Sequence, residues 1–198
     1  MTLSACLLAS VAAWSSTTEP ADPASHLWIV NELFSSADGT VQFVELWECC
    51  GSSGETFMAG KKVYSDATGH TFTFPSNLVG DTAFRYLLIG TPAFAATPGA
   101  PTPDHIVPAG FFSMSGDTIR WHIYPNATLQ FTNGQLPLDG TYSLNYDGTT
   151  GVNSPTNWAG QYGSIAIASV PGMPFGWVVA LVGGALLVGV VVLRLRAA

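Results

Sequence analysis

The sequence predicts an all-β body, a sandwich or barrel, with one transmembrane helix at its C-terminal end. Three observations carry this. Short β-branched and aromatic runs recur through the 198-residue chain, separated by Asp, Asn, Gly and Pro clusters. Strands at such spacing with Gly/Pro turns indicate a sandwich or barrel. Between the two apolar ends, no window of about 11 residues has helical periodicity. From Phe175 to Leu193 no residue is charged, and Arg194 and Arg196 follow at once.

The strands are expected in the following order. His26 to Phe34 is β-branched and aromatic, and Ala37-Asp38-Gly39 is a turn signal. Val41 to Glu48 places Val41, Phe43 and Glu45 on one face and Val44 and Leu46 on the other, so both faces should be partly covered. Then come Lys62 to Tyr64, Thr71 to Phe74, Phe84 to Ile89, Ile106-Val107, Thr118 to Tyr124, Leu129 to Phe131, Tyr142 to Leu144 and Ser164 to Ala168. Residues 92–104 carry four prolines and should be an exposed loop. The chain divides into a signal peptide and short linker (1–24), the β-body (25–168) and a C-terminal segment (169–198).

Both ends point to export. Residues 3–14 are apolar and of signal-peptide length, and Val11-Ala12-Ala13 is an acceptable small-residue cleavage site. No Lys or Arg precedes that run. Leu3-Ser4-Ala5-Cys6 matches a lipobox pattern, but the apolar run continues past Cys6. As a helix, residues 175–193 span roughly 28 Å, close to the ~30 Å hydrocarbon core. Trp177 sits near one end, where an aromatic ring suits the headgroups, and basic Arg194 and Arg196 stay cytoplasmic. The expected topology is body outside, C-terminus inside, with membrane contact through 175–193. A buried apolar helix would need a partner layer that the β-body does not supply.

Motif, apolar span and basic end also resemble the C-terminal sorting signals of the PEP-CTERM group of bacteria. The matching residues are Val170, Pro171, the span 175–193, Arg194 and Arg196. The resemblance implies a sorting transpeptidase as partner, cutting near Val170-Pro171 and leaving the protein at the cell surface. The chain has Val-Pro-Gly-Met-Pro where that group has Val-Pro-Glu-Pro, so an uncleaved membrane anchor stays open as the alternative.

Between residues 19 and 170, Lys61, Lys62, Arg85 and Arg120 stand against all thirteen acids, a net charge of −9. That opposes phosphate backbones and argues against nucleic-acid binding, which needs clustered bases. The body has only Cys49 and Cys50, adjacent in sequence. Adjacent cysteines close at most a small vicinal ring or bridge to another chain; otherwise they are small turn residues before Gly51-Ser52-Ser53-Gly54. Zinc is not expected from two thiolates at this spacing without a nearby His.

Ile29-Val30-Asn31-Glu32, then Asp38-Gly39, then Gln42-Phe43-Val44-Glu45-Leu46 is similar to the opening of lamin-tail domains. Phe72 to Pro75 and Tyr86 to Thr91 are similar to that family's later strands. Asp104 to Asp117 and Ser154 to Gly160 resemble secreted bacterial proteins that carry such domains. The resemblance implies an immunoglobulin-like β-sandwich that serves as an interaction or accessory module, with no shared catalytic residues. Where the family has a Trp-x-Leu strand, this chain has Met58 to Tyr64, so that edge should differ.

Chemistry is sparse. Glu32 and Glu45 fall on expected neighbouring strands and can pair for acid/base work or Ca²⁺ binding; alternatively each accepts bonds from turn backbone or faces water. His70, His105 and His122 are singletons in separate segments. Asp38, Asp117, Asp139 and Asp147 are turn formers first. Trp28, Trp47, Trp121 and Trp158 can stack on sugar if exposed, though Trp in a sandwich is more often core. Asn126-Ala127-Thr128 is a glycosylation sequon, relevant only in a host that reads it. There is no nucleophile elbow, phosphate loop or zinc-protease helix, and no cofactor is expected. The expected function is non-enzymatic: a cell-surface-anchored β-sandwich in envelope structure, adhesion or interaction, with a protein or glycan partner. The alternatives are an accessory module of a secreted, nuclease-associated hydrolase and a Ca²⁺-dependent adhesin.

Overall fold

The computed structural model describes residues 25–167. The expected signal segment and linker 1–24, the motif Val170-Pro171, the span 175–193 with Trp177, and Arg194 and Arg196 lie outside the described residues. Among the described residues no helix is long and apolar enough to cross a membrane.

The body is all-β. Its strands are β1 (Trp28–Ser35), β2 (Gln42–Glu48), β3 (Lys62–Ser65), β4 (Thr71–Thr73), β5 (Tyr86–Gly90), β6 (His105–Ile106), β7 (Gly116–Trp121), β8 (Leu129–Thr132), β9 (Tyr142–Asn145) and β10 (Thr150–Val152). One helical turn, α1 (Pro92–Ala95), and a 3-10 turn, Pro125–Ala127, interrupt them. Six strands form one sheet in the order β10-β9-β1-β2-β5-β6, and four form a second, β4-β3-β7-β8. All pairings are antiparallel except β5 with β6.

The two sheets share one core. Val30, Leu33, Val44, Leu46, Leu87 and Ile89 of the larger sheet meet Val63, Ile119, Trp121, Leu129 and Phe131 of the smaller. Burying such a side chain contributes about 1.5–3 kcal/mol. Trp28 and Trp121 are fully buried, and each indole N–H donates to a backbone carbonyl, Glu55 and Ser25 respectively. They are core, out of reach of any sugar.

The larger sheet is also covered on its outer face, as the pattern of β2 anticipates. Phe34, Phe43 and Leu88 form a second cluster there with Phe94 and Ile165. Residues 92–104 are therefore only partly the exposed loop expected. Thr91 caps α1 by accepting from Phe94 N–H, and its hydroxyl donates to the Thr40 carbonyl. Pro92 suits the first turn of that helix. Phe94 is fully buried over Phe43. Gly90 permits this, because a Cβ there would stand 2.6 Å from the Phe94 ring.

Two further expectations are corrected. β7 ends at Trp121, since His122 turns to a left-handed φ of 48°. Residues 164–167 join no ladder; Asn153 holds them instead, its side chain bonding both Ile165 N–H and Ile165 C=O.

Candidate functional site

The outer face of the larger sheet gathers the acids. A bulge at Asn31 separates the pairs Val30↔Leu46 and Glu32↔Glu45. The extra residue reverses the alternation of β1. Trp28 and Val30 point to the inter-sheet core, while Glu32 and Phe34 point outward. Glu45 lies outward between Phe43 and Trp47 on β2. The expected neighbours Glu32 and Glu45 are thus brought directly opposite each other, and both are 1% exposed.

Their hydrogen bonds differ. Glu32 accepts from the Ser143 hydroxyl, the Ser154 amide at 2.9 Å and the Ser154 hydroxyl at 3.1 Å. Glu45 accepts from the Asn31 side chain at 2.7 Å and the Thr156 amide at 2.6 Å. Burial pushes Glu32 above the usual carboxylate range, and its hydrogen bonds pull back. Burial, then the Glu32 charge, pushes Glu45 up to about 8. Glu32, with three donors, is the one suited to hold the charge; Glu45 keeps the proton at neutral pH.

A third acid completes the row. Asp104, on the crossover before β6, accepts from Leu88 N–H at 2.8 Å and Trp158 N–H at 2.9 Å. Burial raises its pKa as well. The amides of Ser154, Thr156 and Trp158, every second residue, are therefore held by acids on β1, β2 and the crossover beyond β5. Residues 153–158 form a strap laid across the sheet. The strap then turns back through an isolated bridge between Thr156 and Tyr162.

The other buried acids are used in the same way. Glu48 accepts from the amides of Cys50, Gly51, Ser52 and Phe84. Glu55 accepts from Leu27 N–H. Asp117 accepts from the amides of Ala67, Ser113 and Thr118 and the Ser65 hydroxyl. Asp117 is more than a turn former: it ties β7 to two loops. Asp38, Asp139 and Asp147 do cap their own turns. Every buried carboxylate among the described residues thus receives at least one backbone amide.

Beside the acid row, Trp47 and Tyr86 are half-buried register partners, their rings stacked 6.2 Å apart. The Trp47 indole nitrogen is buried and finds no acceptor among the described residues. Arg85 lies 5.8 Å over the Trp158 ring. One residue away, Phe84 is 59% exposed at a φ of 55°. Cys49 and Cys50 follow β2 and are joined to each other as a disulfide.

The histidines stay apart in their roles. His70 bonds the carbonyls of Gly110 and Phe111, His105 packs against Phe72 and Phe74, and His122 packs against Tyr124. Among the described residues no group of three or more His, Cys, Asp or Glu is placed to hold a metal ion. Sequence reasoning found the Glu32–Glu45 pair and missed the strap, whose donors are backbone amides common to every residue type.

Comparison of the chain with protein-family models, curated proteins and solved structures returns no match.

Proposed function

We propose that the chain is an exported, non-enzymatic protein of the bacterial cell surface. Its body is an immunoglobulin-like, lamin-tail-like β-sandwich, held at the membrane by residues 175–193 or sorted there by a transpeptidase acting near Val170-Pro171. Its role is in envelope structure, adhesion or interaction with a protein or glycan.

The observation that carries this reading is the use of the buried acids. Glu32, Glu45, Glu48, Glu55 and Asp117 each bind backbone amides. Their hydrogen-bonding capacity fastens loops and the strap to the sheets, as suits a scaffold. The sequence adds the direction: an apolar start, an acidic body and an uncharged span ending in Arg. Trp47, Tyr86, Arg85 and exposed Phe84 give the contact surface on the outer end of the larger sheet.

Protease treatment of intact cells tests it. The body should be digested from outside, and the mass of the mature C-terminus should show either a cut near Val170 or the retained span. Recovery of the intact chain in the soluble cytosol overturns the reading.

A further inference from the structure

We propose that residues 153–158 are a proton-dependent strap, closed over the sheet while Glu32 and Glu45 share one proton and opening when both carboxylates are charged.

The geometry carries it. Cross-strand partners stand with Cβ atoms about 4.5–5.5 Å apart, and like charges at that spacing repel. Here both partners are buried, where water screens little. Among the described residues the ion pairs are His26–Glu55 and Arg120–Asp66; neither Glu32 nor Glu45 has a cation to offset its charge. The titratable and charged groups beside the pair and the strap are Tyr86 on β5, Asp104 on the crossover and Arg85 over Trp158; His105, next to Asp104, packs against Phe72 and Phe74. Tyr86 is itself pushed up, by burial first and then by the charges of Glu45 and Glu32.

A shared proton resolves the conflict. Protonated Glu45 keeps an oxygen for Thr156 N–H, and Asn31 can turn its amide so that its oxygen accepts the carboxyl O–H. When that proton leaves, two buried charges face each other, and the strap's two central amide bonds hang on that repelling pair. Lifting the strap admits water to both carboxylates. Asn153 pins Ile165 to the outer cluster, so an open strap also loosens the cover over Phe34, Phe43 and Leu88.

The sign follows from linkage. The folded-state pKa of Glu45 lies above its ordinary value, so the closed form binds more protons than the open form. Closure is complete at low pH and is lost as pH rises through about 8.

Quench-flow hydrogen exchange on the full chain in detergent micelles, corrected for intrinsic rates, tests it at about pH 6 and about pH 9. The amides of Ser154, Thr156 and Trp158 should lose roughly tenfold or more of their protection at the higher pH, one pKa unit being tenfold in population. Those of β7 and β8 should keep theirs. Glu45→Gln, which mimics the protonated acid, should retain strap protection at both pH values, and Glu32→Gln should do the same. Equal protection in the wild type at both pH values overturns the proposal. So does parallel loss in β7 and β8, or wild-type behaviour in both variants.

Discussion

Glu32 and Glu45 face each other in direct register across β1 and β2, each buried and each holding the amide of a strap residue. Two acids placed so ask for a cation or a shared proton, and no cation is there among the described residues. The arrangement is a structural device with a titration of its own.

Global stability should therefore fall as pH rises from about 4.5 to about 8. Raised carboxylate pKa values mean that the folded chain holds protons that the unfolded chain has released. The contribution of Glu45 is at most about 5 kcal/mol, a rise from 4.5 to about 8 at about 1.4 kcal/mol per pKa unit. The exposed acids Asp38, Asp66 and Asp147 are shifted down by their hydrogen bonds and matter only below this window. Urea denaturation across the pH range checks the slope, and Glu45→Gln should flatten it.

Glu48→Ala should be among the most damaging single changes. It strips the acceptor from four amides, those of Cys50, Gly51, Ser52 and Phe84. Each of these part-buried bonds is worth about 0.5–1.5 kcal/mol net, without adding fully, so a loss of about 2–4 kcal/mol is expected. Chemical denaturation measures it. A cost under about 1 kcal/mol, the usual worth of an exposed ion pair, contradicts this role.

How much of this was legible depended on which atoms do the holding. β1 and β2 were readable because Val30, Phe43, Val44 and Leu46 announce themselves by residue type, and β2 even signalled that both faces are covered. Glu32 and Glu45 could be placed on neighbouring strands, yet their outward direction depends on the bulge at Asn31, which no local pattern encodes. Phe94 sat among four prolines and read as loop; its burial comes from a cap at Thr91 and a missing Cβ at Gly90, both tertiary matters. The strap was invisible because Ser154, Thr156 and Trp158 engage through main-chain N–H. The three-residue strand β10 carries only Thr150, Gly151 and Val152 and gave no periodicity to read.

Gly163→Ala should detach the returning arm of the strap. A Cβ at that position would collide with the Gly99 carbonyl and press on Pro101. Backbone cannot yield as a flexible side chain does, so a cost of about 1–3 kcal/mol is expected. Thermal denaturation should show the loss, with protection in β7 and β8 retained. An unchanged melting temperature contradicts the close approach.

Reducing the protein should raise its intact mass by about 2 Da, the two hydrogens added to one disulfide. Peptide mapping should find Cys49 linked to Cys50 and to no other chain. No mass change rules out the vicinal ring.

The pair itself offers the most direct test. In the protein labelled with ¹³C at Glu side-chain carboxyls, the Glu45 resonance should titrate near pH 8, far above the ordinary glutamate value of about 4.3. It should move back toward that ordinary value in Glu32→Gln, where the facing charge is gone. Glu32 and Glu45 both titrating at the ordinary value in the wild type would mean that they are solvated and apart, and the account of the acid row and its strap would not stand.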